Sequence, residues 1–233
     1  MSGTNRRDWG RLAKGMAIML LLPATILFGT SGRLNWWMAW TYIGILAAIT
    51  IGSRIIMLRK NPGLITERAQ ISHKDDVKSW DKTIMPIVAI FGPIITLVVI
   101  GLDYRFTWSP RLPTVIKITA LALTTISYLL SAWATGVNRF FSAVVRIQRD
   151  RGHSVVTSGP YKYVRHPGYS GGIVANFTVP IALGSVWALL PAVLVACLTV
   201  LRTALEDRAL QEELDGYRDY ASRVRHRLMP GVW

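Results

Sequence analysis

The chain has 233 residues, of which 51% are hydrophobic and only 17% charged. Soluble domains carry about a quarter charged residues, so this composition argues against a soluble protein and for a membrane one. The net charge is +14, but it lies between apolar runs rather than on one polar face. That distribution argues against a nucleic-acid partner and for the flanks of membrane helices in a lipid bilayer. With a single cysteine, Cys197, no disulfide can form within the chain and no cysteine-based metal site is available.

In chain order, six apolar spans are predicted, at residues 14–29, 36–58, 83–102, 114–137, 168–184 and 187–202. A membrane helix needs about 20 residues, so the first and fifth are short for a crossing. The opening stretch, basic and then apolar, has the outline of a secretory signal. No clean small-x-small cleavage site follows and further spans do, so it is read as a first membrane helix. Pro23, Pro93 and Pro180 fall inside spans, which neighbouring membrane helices tolerate. Spans five and six are separated by the uncharged turn Gly184-Ser185-Val186-Trp187 and form a tight helical hairpin.

Six crossings with an inside N-terminus put 22 Lys and Arg on inside segments and four on outside ones. Arg54 lies near the inner end of span two and can snorkel. This bias predicts both termini on the cytoplasmic side. His73, His153, His166 and His226 all fall on that side, so the chemistry belongs there. The fold class expected is an all-α integral membrane protein of about six transmembrane helices. Residues 1–137 form a four-span region and 138–233 a catalytic region.

Four inside-facing pieces remain. Residues 59–82 read as a solvated loop with a turn at Asn61-Pro62-Gly63. Residues 138–161 place Phe140, Phe141, Val144, Val145 and Ile147 on one face, with Arg146, Arg149 and Arg151 on another. That is the pattern of an interfacial helix. The third piece, "SGPYKYVRHPGYSGG", covers residues 158–172. Pro167 suits a first helical position, so His166 is read as the cap and the N–H groups of Gly168, Tyr169 and Ser170 as free. Such an end takes an anion, and Arg165, His166 and Tyr169 would surround it. The same residues also serve as a plain interfacial anchor, and the residues alone leave both readings open.

In the fourth piece, Arg202 and Glu206 stand four apart at the inner end of span six. They read either as a functional pair at membrane depth or as a simple helical ion pair. Beyond them Leu210, Leu214, Tyr217, Ala221, Val224 and Leu228 form an amphipathic stripe read as packing. Asp215-Gly216 is a candidate break in that C-terminal helix.

"GPYKYVRHPGYSGG", "RTALEDRAL" and "LDGYRDYASRVRHRLMPGVW" together resemble the isoprenylcysteine carboxyl methyltransferase family. The family's pattern is RHP-x-Y-x-G, a hairpin, E-E-x-x-L and then G-x-x-Y-x-x-Y. The resemblance runs from about residue 138 to the C-terminus, and "KNPGLITERA" with "KSWDK" looks like the N-terminal loop of bacterial members. Asp207 departs from it, standing where the family usually has a second Glu.

The resemblance implies a multi-spanning protein of the bacterial inner membrane that uses S-adenosylmethionine, leaving S-adenosylhomocysteine, without a Rossmann domain. It puts cofactor contacts on His153, Ser154, Val155, Val156, Tyr161, His166, Pro167, Gly168, Tyr169 and Glu206. An upstream contact falls on Arg146 or Gln148. Arg202 matches the arginine that handles the acceptor, a prenylated or other lipophilic molecule. The implied reaction is carboxyl O-methylation. A phospholipid or small-molecule methyltransferase is the first alternative. An NADPH-dependent enzyme resembling sterol reductases is the second, with Arg149, Arg151 and Arg165 as its phosphate cluster. A non-enzymatic membrane scaffold is the third.

Overall fold

The computed structural model describes residues 6–60 and 76–233, with side chains for 15–59 and 76–233. The predicted turn at Asn61-Pro62-Gly63 and His73 lie outside the described residues. Seven helices account for most of the rest: α1 (Arg6–Ser31), α2 (Trp37–Lys60), α3 (Asp81–Phe106), α4 (Thr114–Val137), α5 (Pro167–Leu183), α6 (Leu189–Glu213) and α7 (Tyr217–Arg223).

Four of them, α2, α3, α4 and α6, are long and apolar enough to cross a membrane, and α1 carries a shorter apolar stretch at Gly15–Ser31. These match predicted spans two, three, four and six, with spans one and five again the short ones. Large apolar side chains such as Ile126, Leu194 and Phe91 stand exposed on the bundle's outside. In water that surface would be an aggregation liability; in lipid it is the expected wall.

The bundle is built for close approach. A Cβ on Gly171 would sit 2.4 Å from the Ser127 carbonyl oxygen and 2.4 Å from Ser131 Oγ. Only glycine lets α5 lie that near α4, the small-residue packing expected where lipid supplies no hydrophobic drive between helices. Buried hydroxyls add links: Thr124 and Thr178 join α4 to α5 at 2.7 Å, and Tyr42 and Tyr128 join α2 to α4 at 3.3 Å.

Pro86 begins a wide turn of α3, Ile87–Phe91, and Pro93 follows as the regular helix resumes. Prolines lack an N–H and crowd the carbonyl four residues back, so a local widening of the helix absorbs them. At the opposite end of α3, buried Asp103 accepts from Ser109 N–H at 2.7 Å and from the hydroxyls of Ser109 and Ser185 at 2.5 Å. It thereby fastens α3 to the turn of the α5–α6 hairpin.

Two expectations are corrected. Residues 138–148 form no interfacial helix; they run as an irregular strap with Phe140, Val144, Val145 and Arg146 buried. The alternating pattern is filled by packing inward, because Val145 N–H donates to Asp81 at 2.7 Å and Lys78 N–H donates to the Val145 carbonyl at 3.0 Å. The C-terminal stripe is likewise not one helix. The strong helix formers after Arg202 carry α6 on to Glu213, and the chain then breaks at Gly216, φ 77°, before α7. The break falls at the expected Asp215-Gly216, and the stripe does pack: Leu214, Tyr217 and Tyr220 are buried against Ile147, Val155 and Leu210.

Candidate functional site

The site is assembled where α4 ends, α5 begins and α6 runs past the apolar bundle. Asn138 ends α4, and its side-chain oxygen accepts from Phe140 N–H at 2.8 Å, an Asx-type turn that starts the strap. A short 3-10 turn at Arg149–Arg151 follows, then irregular chain from His153 to Thr157. The backbone groups of Ser154, Val155 and Val156 have no hydrogen bond among the described residues. They offer an unpaired edge.

That edge borders an open cleft enclosing about 800 Å³. Gln148, His153, Ser154, Val155, Val156, Tyr161, His166, Gly168, Tyr169 and Glu206 all line it, as does Arg146, so the structure brings together ten of the predicted contacts. Two predicted residues stay out. Pro167 is fully buried under the cap, and Arg202 lies below the floor, its guanidinium 5.4 Å from the Tyr169 ring centre.

The α5 cap differs from expectation. The His166 carbonyl accepts from Tyr169 N–H at 3.0 Å and Ser170 N–H at 3.1 Å. Of the three N–H groups read as free, only that of Gly168 has no partner among the described residues. The Phe141 ring stands against this glycine, 2.8 Å from where a Cβ would be. Tyr169 hydroxyl donates to Glu206 Oε2 at 2.6 Å, which leaves Oε1 to the cleft. Tyr161 is held by Asn138 on its hydroxyl, 3.2 Å, and by Tyr220 on its carbonyl, 2.8 Å.

Arg146 pairs with Asp76 at 2.7 Å and Asp150 at 3.1 Å. The Gln148 side chain spans the Phe140 carbonyl, 2.6 Å, and Arg151, 2.5 Å. His153 accepts the Gln148 N–H on Nδ1 at 3.2 Å, so its proton sits on Nε2. Burial, then the charges of Arg146, Arg151 and Arg139, push its pKa from 6.5 down to about 4. The ring is neutral at pH 7. Between pH 6.5 and about 4 the unfolded chain binds a proton here that the folded one does not, so this group lowers stability as pH falls through that window. Nuclear magnetic resonance of the ring in detergent is expected to give a midpoint near 4; one near 6.5 would refute the burial argument.

Sequence reasoning missed Asp81 and the role of Asp207. Asp81, fully buried, accepts from Arg202 Nε at 2.7 Å and Nη2 at 3.1 Å, and Nη2 also donates to the Ala143 carbonyl at 2.7 Å. Of the two readings of Arg202 and Glu206, the simple helical ion pair is not formed; Asp81 holds the arginine, and Nη1 has no hydrogen-bond partner among the described residues. The signal available was an aspartate, in "KSWDK", at the edge of an apolar span. Asp207, also fully buried, collects Arg165 (2.7 and 2.9 Å), Arg227 (2.9 Å), Tyr217 (3.0 Å), Gln211 (2.8 Å) and His166 (3.3 Å). It does not line the cleft, so the departure from Glu falls on a structural hub. Arg165 is consumed there, and Arg151 on Gln148 and the Arg139 carbonyl, so no three-arginine phosphate cluster converges.

Behind the cleft is a second, largely apolar pocket between the helices, lined by Tyr42, Val88, Pro93, Tyr128, Asn176 and Val195 among others. Tyr169 lines both spaces. The fold and site thus define a class: an integral membrane helix bundle whose polar cleft adjoins an apolar pocket. Residues 113–212 match the model of the isoprenylcysteine carboxyl methyltransferase (ICMT) family, so this stretch of the chain is similar to that family. The match supports a membrane methyltransferase of isoprenylcysteine type. Among curated proteins no match to the chain is found.

Proposed function

We propose that this protein is a methyltransferase dependent on S-adenosylmethionine, acting on the carboxylate of a lipophilic, isoprenylcysteine-type acceptor. One observation carries the reading: Tyr169 is a shared wall of the polar cleft and the apolar pocket, with Arg202 beneath it. A charged donor and an acceptor dissolved in lipid can meet only at such a boundary.

The cleft's residues suit the cofactor. The free edge at Ser154–Val156 can take the hydrogen-bonding rim of an adenine, and Glu206 Oε1 can accept from ribose hydroxyls. The Gly168 N–H at the start of α5 suits a carboxylate, and neutral His153 can donate from Nε2. Bound there, the cofactor supplies a methyl group already activated by its sulfonium. The chain's own task is then positioning. An acceptor carboxylate is ionised at pH 7 and needs no base. Arg202 Nη1, fixed by the fork on Asp81, is the donor to orient it. Pro167 sets the α5 start rather than touching the ligand.

An amine acceptor, as in phospholipid N-methylation, must give up a proton. His166 Nε2 is turned to Asp207 and Glu206 is taken by Tyr169, which favours the carboxylate. The commitment of Arg151 and Arg165 to other partners disfavours NADPH. The lysine and arginine bias supports six crossings, cytoplasmic termini and a cytoplasmic-facing site, and the likeness of the N-terminal loop to bacterial members supports a bacterial inner membrane. The division into a membrane region, 1–137, and a catalytic one, 138–233, is supported by the cleft, whose lining residues all fall from Asn138 onward.

Calorimetric titration of detergent-purified protein tests this. S-adenosylhomocysteine is expected to release heat and NADPH none; the reverse result overturns the proposal. Glu206→Gln is expected to weaken S-adenosylhomocysteine binding about ten- to hundredfold, the worth of hydrogen bonds to a charged group.

A further inference from the structure

Among the described residues a space larger than the cleft lies elsewhere in the bundle. Between α1, α2, α3 and α4 an open chamber encloses about 1800 Å³. Its walls are mainly apolar, with Leu22, Ile26, Leu46 and Ile94 among them, yet Arg54 lines it too. Among the described residues no ion pair or hydrogen bond falls on any of the five N–H donors of Arg54. The neighbouring hydroxyls do not answer that charge. Ser53 donates to the Thr50 carbonyl at 3.0 Å, Ser131 to those of Ser127 and Gly168 at 3.1 and 3.2 Å, and Thr135 to that of Ser131 at 2.8 Å.

A half-buried cation in an apolar enclosure is costly unless paired. Arginine in particular is suited to oxyanions, which it grips in a planar fork. No described residue supplies the counter-charge, and the apolar walls suit one carried on an alkyl chain. We propose that the chamber binds an anionic membrane lipid, its alkyl chains against α1, α2 and α3 and its phosphate on Arg54. The surrounding bilayer supplies such a ligand at high local concentration. The acceptor's reacting carboxylate is a poorer occupant, because the proposed function assigns that group to Arg202.

The lipid would also border the catalytic region. The chamber shares Tyr42, Pro93, Leu97 and Tyr128 with the apolar pocket, and Phe141 with the cleft. A seated lipid would thus form part of the wall along which an acceptor moves. The lipid site itself does not depend on methyl transfer.

Native mass spectrometry of the full chain from nanodiscs of equal phosphatidylglycerol and phosphatidylcholine tests the assignment. The wild type is expected to retain phosphatidylglycerol at least tenfold over phosphatidylcholine. Arg54→Gln should lose that preference and Arg54→Lys should keep most of it. Both variants should elute as monodisperse protein and bind S-adenosylhomocysteine as the wild type does, so that failure of the lipid site and failure of the cofactor reading are distinguished. Equal retention of the two lipids by the wild type, or an unchanged preference in Arg54→Gln, overturns the proposal. So does displacement of the lipid by a farnesylated cysteine carboxylate but not by its methyl ester, which would make the occupant the acceptor.

Discussion

Asp207→Asn is expected to lower the thermal unfolding midpoint in detergent by roughly 10 °C, the largest stability loss of any single site substitution here. The carboxylate is wholly buried, and both its oxygens are ringed by donors: Arg165, Arg227, Tyr217 and Gln211. An amide of the same shape removes the negative charge and turns an NH₂ toward arginines that can only donate. Breaking a buried pair in this way costs about 3–5 kcal/mol, and a chain of this size shifts by about 2–4 °C per kcal/mol. The loss would not stay local. Arg165 also donates to the carbonyls of Val224 and Arg225 at 2.8 and 2.9 Å, and the N–H of His166 donates to the Arg227 carbonyl at 2.8 Å. The hub therefore holds the C-terminal tail against the α5 cap, and cofactor affinity should fall with stability. Asp219→Asn, at an exposed position, is the control expected to change neither. An unchanged midpoint for Asp207→Asn would show that the arginines are satisfied by backbone carbonyls alone.

The parts of this molecule that were legible in sequence are those fixed by local rules. Long apolar runs bounded by Lys and Arg gave helices at the expected places. Pro167 marked the start of α5, and Asp215-Gly216 marked a break, because both limit the backbone directly. The cleft residues were legible for a different reason: most lie within one contiguous stretch, 146–169, so a motif carries their neighbourhood with it. The failures have physical causes. The strap at 138–148 has a helix-like apolar spacing, but its N–H and C=O groups bond to Asp81 and Lys78, far away in sequence. The α5 end looked like three free N–H groups, yet the cap residue's own carbonyl engages two of them. Arg165 seemed an anion ligand because it stands beside the α5 cap. Its partner is Asp207, reached only once α6 folds back through the hairpin. Asp81 belongs to the same class, since no spacing within one chain pairs it with an arginine 121 residues later.

That pairing sets the last prediction, which concerns turnover rather than stability. Arg202→Gln is expected to reduce kcat for methyl transfer by about 10²–10³-fold, the cost of removing one preorganised donor from a reacting group. The dissociation constant for S-adenosylhomocysteine should be unchanged, because Arg202 lies beneath Tyr169 and outside the cleft. Arg202→Lys should not rescue. An ammonium cannot fork onto Asp81 and still present a second, fixed N–H to an acceptor. Asp81→Asn should act in the same direction through the arginine: with the fork lost, Nη1 is no longer held, so kcat falls while cofactor affinity stays. Because Asp81 also accepts the Val145 N–H, its loss should loosen the strap and raise KM for the acceptor, a split that Arg202→Gln does not share. Measuring kcat, acceptor KM and cofactor affinity for all three variants separates these roles. Full methyl transfer by Arg202→Gln would remove the arginine from the mechanism. A fall in cofactor affinity equal to the fall in kcat would place it in the donor site instead.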